Sequence, residues 1–326
     1  MPISHRQRLE ACLSGQPVDR VPAALWRHFP VDDQTPDGLA RATYVFQQTF
    51  DFDLVKVTPS SSYCLKDWGV QDIWRGASEG TRDYTRRVIQ NPEDWRSLPA
   101  LDPHHGHLGA ELACIRLLRQ QLGADTPILQ TIFSPLAQAK NLVGGAELLV
   151  HLRRFPDAVH AGLQVIAEST RRFVEASQQA GVDGVFYAVQ HAQYGLLTEA
   201  EFQAFGKRYD LAVLEPAGEL WLNMLHLHGV EVMFDQVADY PVQIINWHDR
   251  ETAPSLALGQ RRFPGVVCGG VLRDSLTYGA PDQVRAEALD ALQATEGARF
   301  ILGTGCVTPV IAPYGNLLAL RQSVGE

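Results

Sequence analysis

The chain has 326 residues, 45% hydrophobic and 20% charged, with a formal net charge of −9, an ordinary globular balance. An acidic surface repels phosphate backbones and anionic lipid, which argues against nucleic acid or a membrane as partner, and no 18-residue window is apolar enough for a span. Five scattered cysteines, odd in number and without a C-x-x-C pair, exclude a disulfide framework or zinc finger as the natural reading.

The N-terminal stretch "MPISHRQRLEACLSGQPVDRVP" is charged and helical in pattern and lacks the apolar core of a signal peptide. A cytoplasmic location is therefore expected. Predicted strands then follow in chain order: 20–26 (RVPAALW), 53–58 (DLVKVT), 127–133 (PILQTIF) and 183–189 (DGVFYAV). Four more are 222–228 (LNMLHLH), 242–247 (VQIINW), 265–271 (GVVCGGV) and 299–305 (RFILGTG). Amphipathic helices are predicted over 108–122, 157–180, 198–220 and 281–296, with Thr198 as a cap before "EAEF". The connection 229–241 has room for about two helical turns. Eight strands alternating with helices predict a single-domain (β/α)₈ TIM barrel. An open doubly wound sheet would carry a Gly-rich phosphate turn after its first strand, and "RVPAALWRHFP" has none. One connection is anomalous: 59–107 is long and irregular and holds Trp68, Trp74 and Trp95. It reads as a lid or binding loop, or as an extra hairpin on the rim.

In such a barrel the chemistry sits at the C-terminal ends of the strands. His28, His191, His226, His228 and His248 fall at such ends, and Cys306 follows the last strand in "GTGCVTP". Residues i and i+2 of a strand share a face, so His226 and His228 project together. With Cys306 they make a three-donor set of nitrogen and sulfur, suited to zinc with one open position. A pocket in which both imidazoles bind a substrate carboxylate, with Cys306 as buried filler, is the alternative. Metal-dependent amidohydrolases carry a His-x-His pair on the first strand, whereas here that strand ends "LWRHF", so a hydrolase is the weaker reading.

Three segments together resemble the uroporphyrinogen decarboxylase superfamily: the opening "RQRLEACLSGQPVDRVP", the Trp segment "INWHD" (245–249), and the closing "GCVTP…NLLAL". The resemblance implies one of two branches. Cofactor-free decarboxylases act on the acetate arms of a tetrapyrrole. Zinc-dependent methyltransferases move a methyl group between a corrinoid protein and a thiol. The first branch needs two arginines four apart on strand 1, an aspartate after strand 2, a strand-3 tyrosine and a late histidine. Here Val31 stands four after Arg27, "VKVTPSSSY" brings Lys56 and no acid, "TIFSPLAQAKN" has no tyrosine, and 299–315 has no histidine. The second branch implies His226 and Cys306 as zinc ligands. Its middle ligand, a cysteine, is here His228, which raises the formal charge of the site by one.

The expected roles are then zinc ligation by His226, His228 and Cys306, with a thiol as methyl acceptor and a separate corrinoid protein as partner. His191 and His248 are candidate general bases or substrate contacts, with structural roles as the alternative. Arg27, His28 and Lys56 are candidate substrate anchors at the barrel mouth; ion pairs compete for Arg27 and Lys56. Asp249 would orient a histidine or cap a helix. His104, His105 and His107 read as solvent-exposed. A decarboxylase or lyase acting on an organic acid, and a non-catalytic tetrapyrrole or corrinoid binder, are the competing functions; a homodimer is the assembly that the resemblance implies.

Overall fold

The computed structural model describes residues 3–325. Its framework is a curled sheet of seven parallel strands. These are β1 (Val55–Val57), β4 (Ile128–Phe133), β5 (Gly184–Val189), β6 (Met224–Leu227), β7 (Ile244–Trp247), β8 (Val266–Val271) and β9 (Phe300–Thr304), hydrogen-bonded in that order. An antiparallel hairpin of β2 (Gln71–Ile73) and β3 (Asp83–Arg86) stands apart from it.

The predicted first strand closes the barrel with few bonds. Ala23 pairs with Leu302 of β9 as an isolated bridge, and the Ala23 carbonyl accepts from Asp53 N–H at 2.8 Å just before β1. Pro22 has no N–H to give a ladder, so this stave is the least regular of the eight.

Period-2 alternation divides each strand between two cores. Trp26, Leu54, Leu129, Phe186, Met224, Ile244, Val266 and Ile301 belong to the cluster that fills the barrel. Their neighbours Val57, Tyr187, Leu225, Ile245 and Trp247 pack outward in the larger cluster with the helices. These helices include α1 (His5–Leu13), α2 (Pro36–Phe50), α3 (Gly106–Leu122), α4 (Pro135–Val143), α5 (Gly145–Arg154) and α6 (Pro156–Ala180).

Two buried aspartates tie the floor together. Asp53, fully buried, accepts from Arg8, Arg20, His5 and the Ala23 N–H at 2.6–3.0 Å. Asp19 grips the other edge of Arg8 through two bonds of 2.7 Å. The Asp-Arg-x-Pro turn Asp19-Arg20-Val21-Pro22 is thus a device that fastens α1 to the first stave and to β1. Asp183, before β5, does the same for Arg6, Arg119, Trp221 and the Ile128 N–H.

The 59–107 connection contains the hairpin and two 3₁₀ turns. Trp95 is fully buried and donates to His151 at 3.0 Å; a side chain at Gly162 of α6 would place its Cβ 2.5 Å from the indole. Arg82 reaches Asp33 at 2.5 Å and Asp72 at 3.5 Å, so the insertion is pinned to the barrel by packing and charge. The helix predicted over 198–220 is interrupted. It starts at the Thr198 capping box, passes through a π turn at Gln203–Lys207 and stops before Pro216, which opens a 3₁₀ turn. The 229–241 connection forms only Phe234–Val237. No helix among the described residues is long and apolar enough to cross a membrane, and all five cysteines are buried and unpaired.

Candidate metal centre

The C-terminal mouth of the barrel opens into a cavity lined by Trp26, Lys56, Phe133, Phe186, His226 and Cys306 among others. His226, the penultimate residue of β6, faces inward, and His228 lies just past the strand, held in register by its N–H to the Val189 carbonyl at 2.9 Å. Cys306 follows β9 and lines the same cavity. Its Sγ lies 3.5 Å from His226 Nε2 and 3.6 Å from His228 Nδ1. A tetrahedral ion with bonds of about 2.0 Å to nitrogen and 2.3 Å to sulfur would separate such donors by roughly 3.6 Å. The donors fit zinc.

His248 joins them. Donor atoms of His226, His228, His248 and Cys306 all lie within 4.8 Å of one another. The other three line the cavity, and His248 does not. Neither of its ring nitrogens has a hydrogen-bond partner among the described residues, as expected of a buried ring kept for a ligand; Glu251 Oε2 stands 3.4 Å from Nδ1. The turn after β7 brings His248, expected as a general base or substrate contact, beside the donor set.

The tautomer of His226 is fixed by a residue not singled out in the sequence. Asn246 on β7 donates its amide to the carbonyls of Cys268 and Thr304 at 2.9 and 3.0 Å. Its Oδ1 is therefore the atom 2.7 Å from His226 Nδ1 and must accept that proton. The lone pair is left on Nε2, toward Cys306. His226 and Asn246 are direct register partners across β6 and β7, a pairing visible only once the strands are aligned.

Burial sets the charges. It pushes His226 well below its ordinary value and His228 down to about 3, each reinforced by the neighbouring His248. His248 is also lowered by burial. All three imidazoles are neutral lone-pair donors near pH 7. Burial raises the Cys306 thiol to about 11, so in the protein alone it holds its proton.

The substrate anchors separate by strand parity. His28 and Lys56 line the cavity. His28 donates Nδ1–H to the Pro59 carbonyl at 2.9 Å. The Lys56 ammonium has Thr58 Oγ1 at 3.2 Å and lies 4.5 Å above the Phe186 ring, which stacks on His226 at 5.3 Å. Burial brings Lys56 down to about 7. Arg27, one residue from His28, does not line this cavity and lies over the rings of Phe29, Phe46 and Tyr314. His191 is buried with Nδ1 unpartnered but does not line the cavity. Asp249 neither orients a histidine nor caps a helix; its carboxylate accepts the Gly270 N–H at 3.2 Å. His104, His105 and His107 are exposed.

Residues missed in the sequence come from the insertion and from the turn after β7. Glu79 lines the cavity, with its carboxylate 2.5 Å from Arg273. Glu251 sits between Arg273 and His248. Nothing in the local pattern around Glu79 marks it, because its partners lie about two hundred residues away.

Comparison with known proteins places this geometry. The family model described as "Uroporphyrinogen decarboxylase (URO-D)" matches residues 4–326. The methylcobamide:CoM methyltransferase MtaA of Methanosarcina barkeri is 24% identical over 98% of this chain and 97% of its own length. The uroporphyrinogen decarboxylase of Pseudomonas aeruginosa is 25% identical over 74% of this chain and 70% of its own. A methyltransferase structure from Methanosarcina mazei superposes with a TM-score of 0.86 at 19% identity, covering 98% of both chains, which establishes the TIM-barrel fold.

Proposed function

The chain belongs to the uroporphyrinogen decarboxylase family, and from that premise we propose that it is a zinc-dependent methyltransferase, its barrel acting as a single domain. It moves a methyl group between a corrinoid, carried by a separate protein, and a small thiol. The observation that carries this reading is the set of three imidazoles and one thiol converging within 4.8 Å at the barrel mouth. The relative from Methanosarcina barkeri supports it through its name, which gives methylcobamide and CoM as the two sides of the transfer.

Bound there, zinc would supply the Lewis acidity that lowers a thiol's pKa toward neutrality. The chain's own residues do the rest. Asn246 holds the His226 ring with Nε2 toward the cavity, and Phe133 and Phe186 give the cavity apolar wall, which keeps water from the reacting sulfur. Lys56 presents a buried ammonium bonded to Thr58 Oγ1 and paired with no carboxylate among the described residues, a seat for an anionic group on the substrate. His28 offers Nε2 from the same wall, since its other nitrogen is committed to Pro59. With Arg27 outside the cavity and a cation where the decarboxylase branch has its aspartate, the decarboxylase reading loses two of its anchors.

Zinc-loaded protein is expected to demethylate added methylcobalamin only when a small thiol is present, followed by the absorbance change of the corrinoid. Zinc-loaded, folded protein that shows no thiol-dependent demethylation would overturn the proposal.

A further inference from the structure

The tip of the insertion is seated across the mouth by contacts at two points on the barrel and one within the insertion. The Ser78 carbonyl accepts from the Val310 N–H at 2.7 Å, and the Arg82 N–H donates to Ser61 Oγ at 3.1 Å. Gly80, at φ +77°, lies so close to the first stave that a Cβ there would sit 2.4 Å from the Cβ of His28. Between these points Glu79 turns into the cavity rim and meets Arg273 at 2.5 Å. Arg273 Nε is 3.5 Å from Glu251 Oε1, and the other oxygen of Glu251 is 3.4 Å from His248 Nδ1. The backbone wraps the same ring, since Glu251 and Thr252 both donate N–H to the His248 carbonyl at 2.8 and 2.9 Å.

We propose that Glu79 is a positioning residue: through Arg273 and Glu251 it holds the His248 ring in the donor set, so the insertion, not the barrel alone, completes the metal centre. This rests on the zinc reading of that set. A carboxylate beside one ring nitrogen keeps the proton there and the lone pair on the other, which orients a histidine ligand. Arg273 holds Glu251 in place only while its own charge is shared with Glu79. With Glu79 neutral, the guanidinium draws Glu251 toward itself, and Nδ1 of His248 loses the carboxylate charge that stands 3.4 Å from it. His248 is the donor most exposed to this loss, because His226 is fixed separately by Asn246.

Zinc affinity, measured on the full chain by competition with a chromophoric chelator, tests it with Glu79→Gln, Glu251→Gln and the double variant. Loss of an outer partner of a ligating histidine costs about 10–100-fold in metal affinity. Both single variants are expected in that range. The double variant is expected to lose no more than Glu251→Gln alone, since the two act in series, while the metal-free proteins unfold at the wild-type temperature. Wild-type affinity in Glu79→Gln, or losses that multiply in the double variant, would overturn the inference and leave the zinc centre standing. Wild type that binds no zinc would overturn the zinc centre itself, and the inference with it.

Discussion

Lys56 is the residue on which the substrate assignment turns. Burial holds its ammonium at about 7, so the charge is present below that pH and fades above it. For an anionic thiol, kcat/KM reports groups of the free protein. It should therefore fall above about pH 7 in wild type relative to Lys56→Arg, whose cation persists. Lys56→Met should lower kcat/KM about 10–100-fold, the scale of a lost charge-assisted hydrogen bond. Equal activity of wild type and Lys56→Met with anionic thiols would remove Lys56 from the site. The same residue shows how far a sequence carries. Alternation placed His226 and His228 on one face and brought Lys56 inward, and all three line the cavity. It could not also turn Arg27 and His28 inward, because adjacent strand residues face opposite ways. His248 was legible as a histidine at a strand end but not as a donor, since its aim depends on the turn that follows β7.

At the scale of elements, the insertion and α3 meet around a buried acid. Glu111 on α3 is almost wholly buried, and its Oε2 has no hydrogen-bond partner. Burial, then the charge of Asp33, pushes its carboxyl up from 4.5 to about 8. The folded chain keeps a proton there that the unfolded chain releases. Its contribution is thus intact below about pH 4.5 and is lost as pH rises toward 8. Glu111→Gln should flatten that fall, and its unfolding temperature should gain on wild type steadily from pH 5 to about 8. Parallel pH profiles for the two proteins would contradict it. Helices with clean periodicity and caps, such as 157–180, were readable from pattern and are found as Pro156–Ala180. The 198–220 segment was not, because a π turn and Pro216 break a stretch whose apolar pattern runs on unbroken. The hairpin within 59–107 was only one of two readings, since β2 and β3 are three and four residues long and largely exposed.

The whole molecule is a barrel whose floor is fastened by charge and whose mouth gathers nitrogen and sulfur. Asp53 joins α1, the first stave and β1, and although its burial opposes ionisation, bonds from His5 and Arg20 hold its carboxyl at about 2. That stability is present above the ordinary carboxylate range near 3.8 and is lost as pH falls toward 2. Asp53→Asn strands the buried Arg20 guanidinium and leaves Arg8 with Asp19 alone, and should cost about 3–5 kcal/mol in chemical denaturation; a loss under about 1 kcal/mol would contradict the clasp. The floor was written in the sequence as an Asp-Arg-x-Pro turn, but its partner Asp53 was hidden at the head of an ordinary-looking strand. The central claim, that the mouth of this barrel is a zinc centre, is tested most directly by metal content. Mass spectrometry of untagged wild type, Cys306→Ser and His226→Ala should find about one zinc per wild-type chain and little in either variant. Folded wild type that carries no zinc and takes up none when it is added would contradict the account.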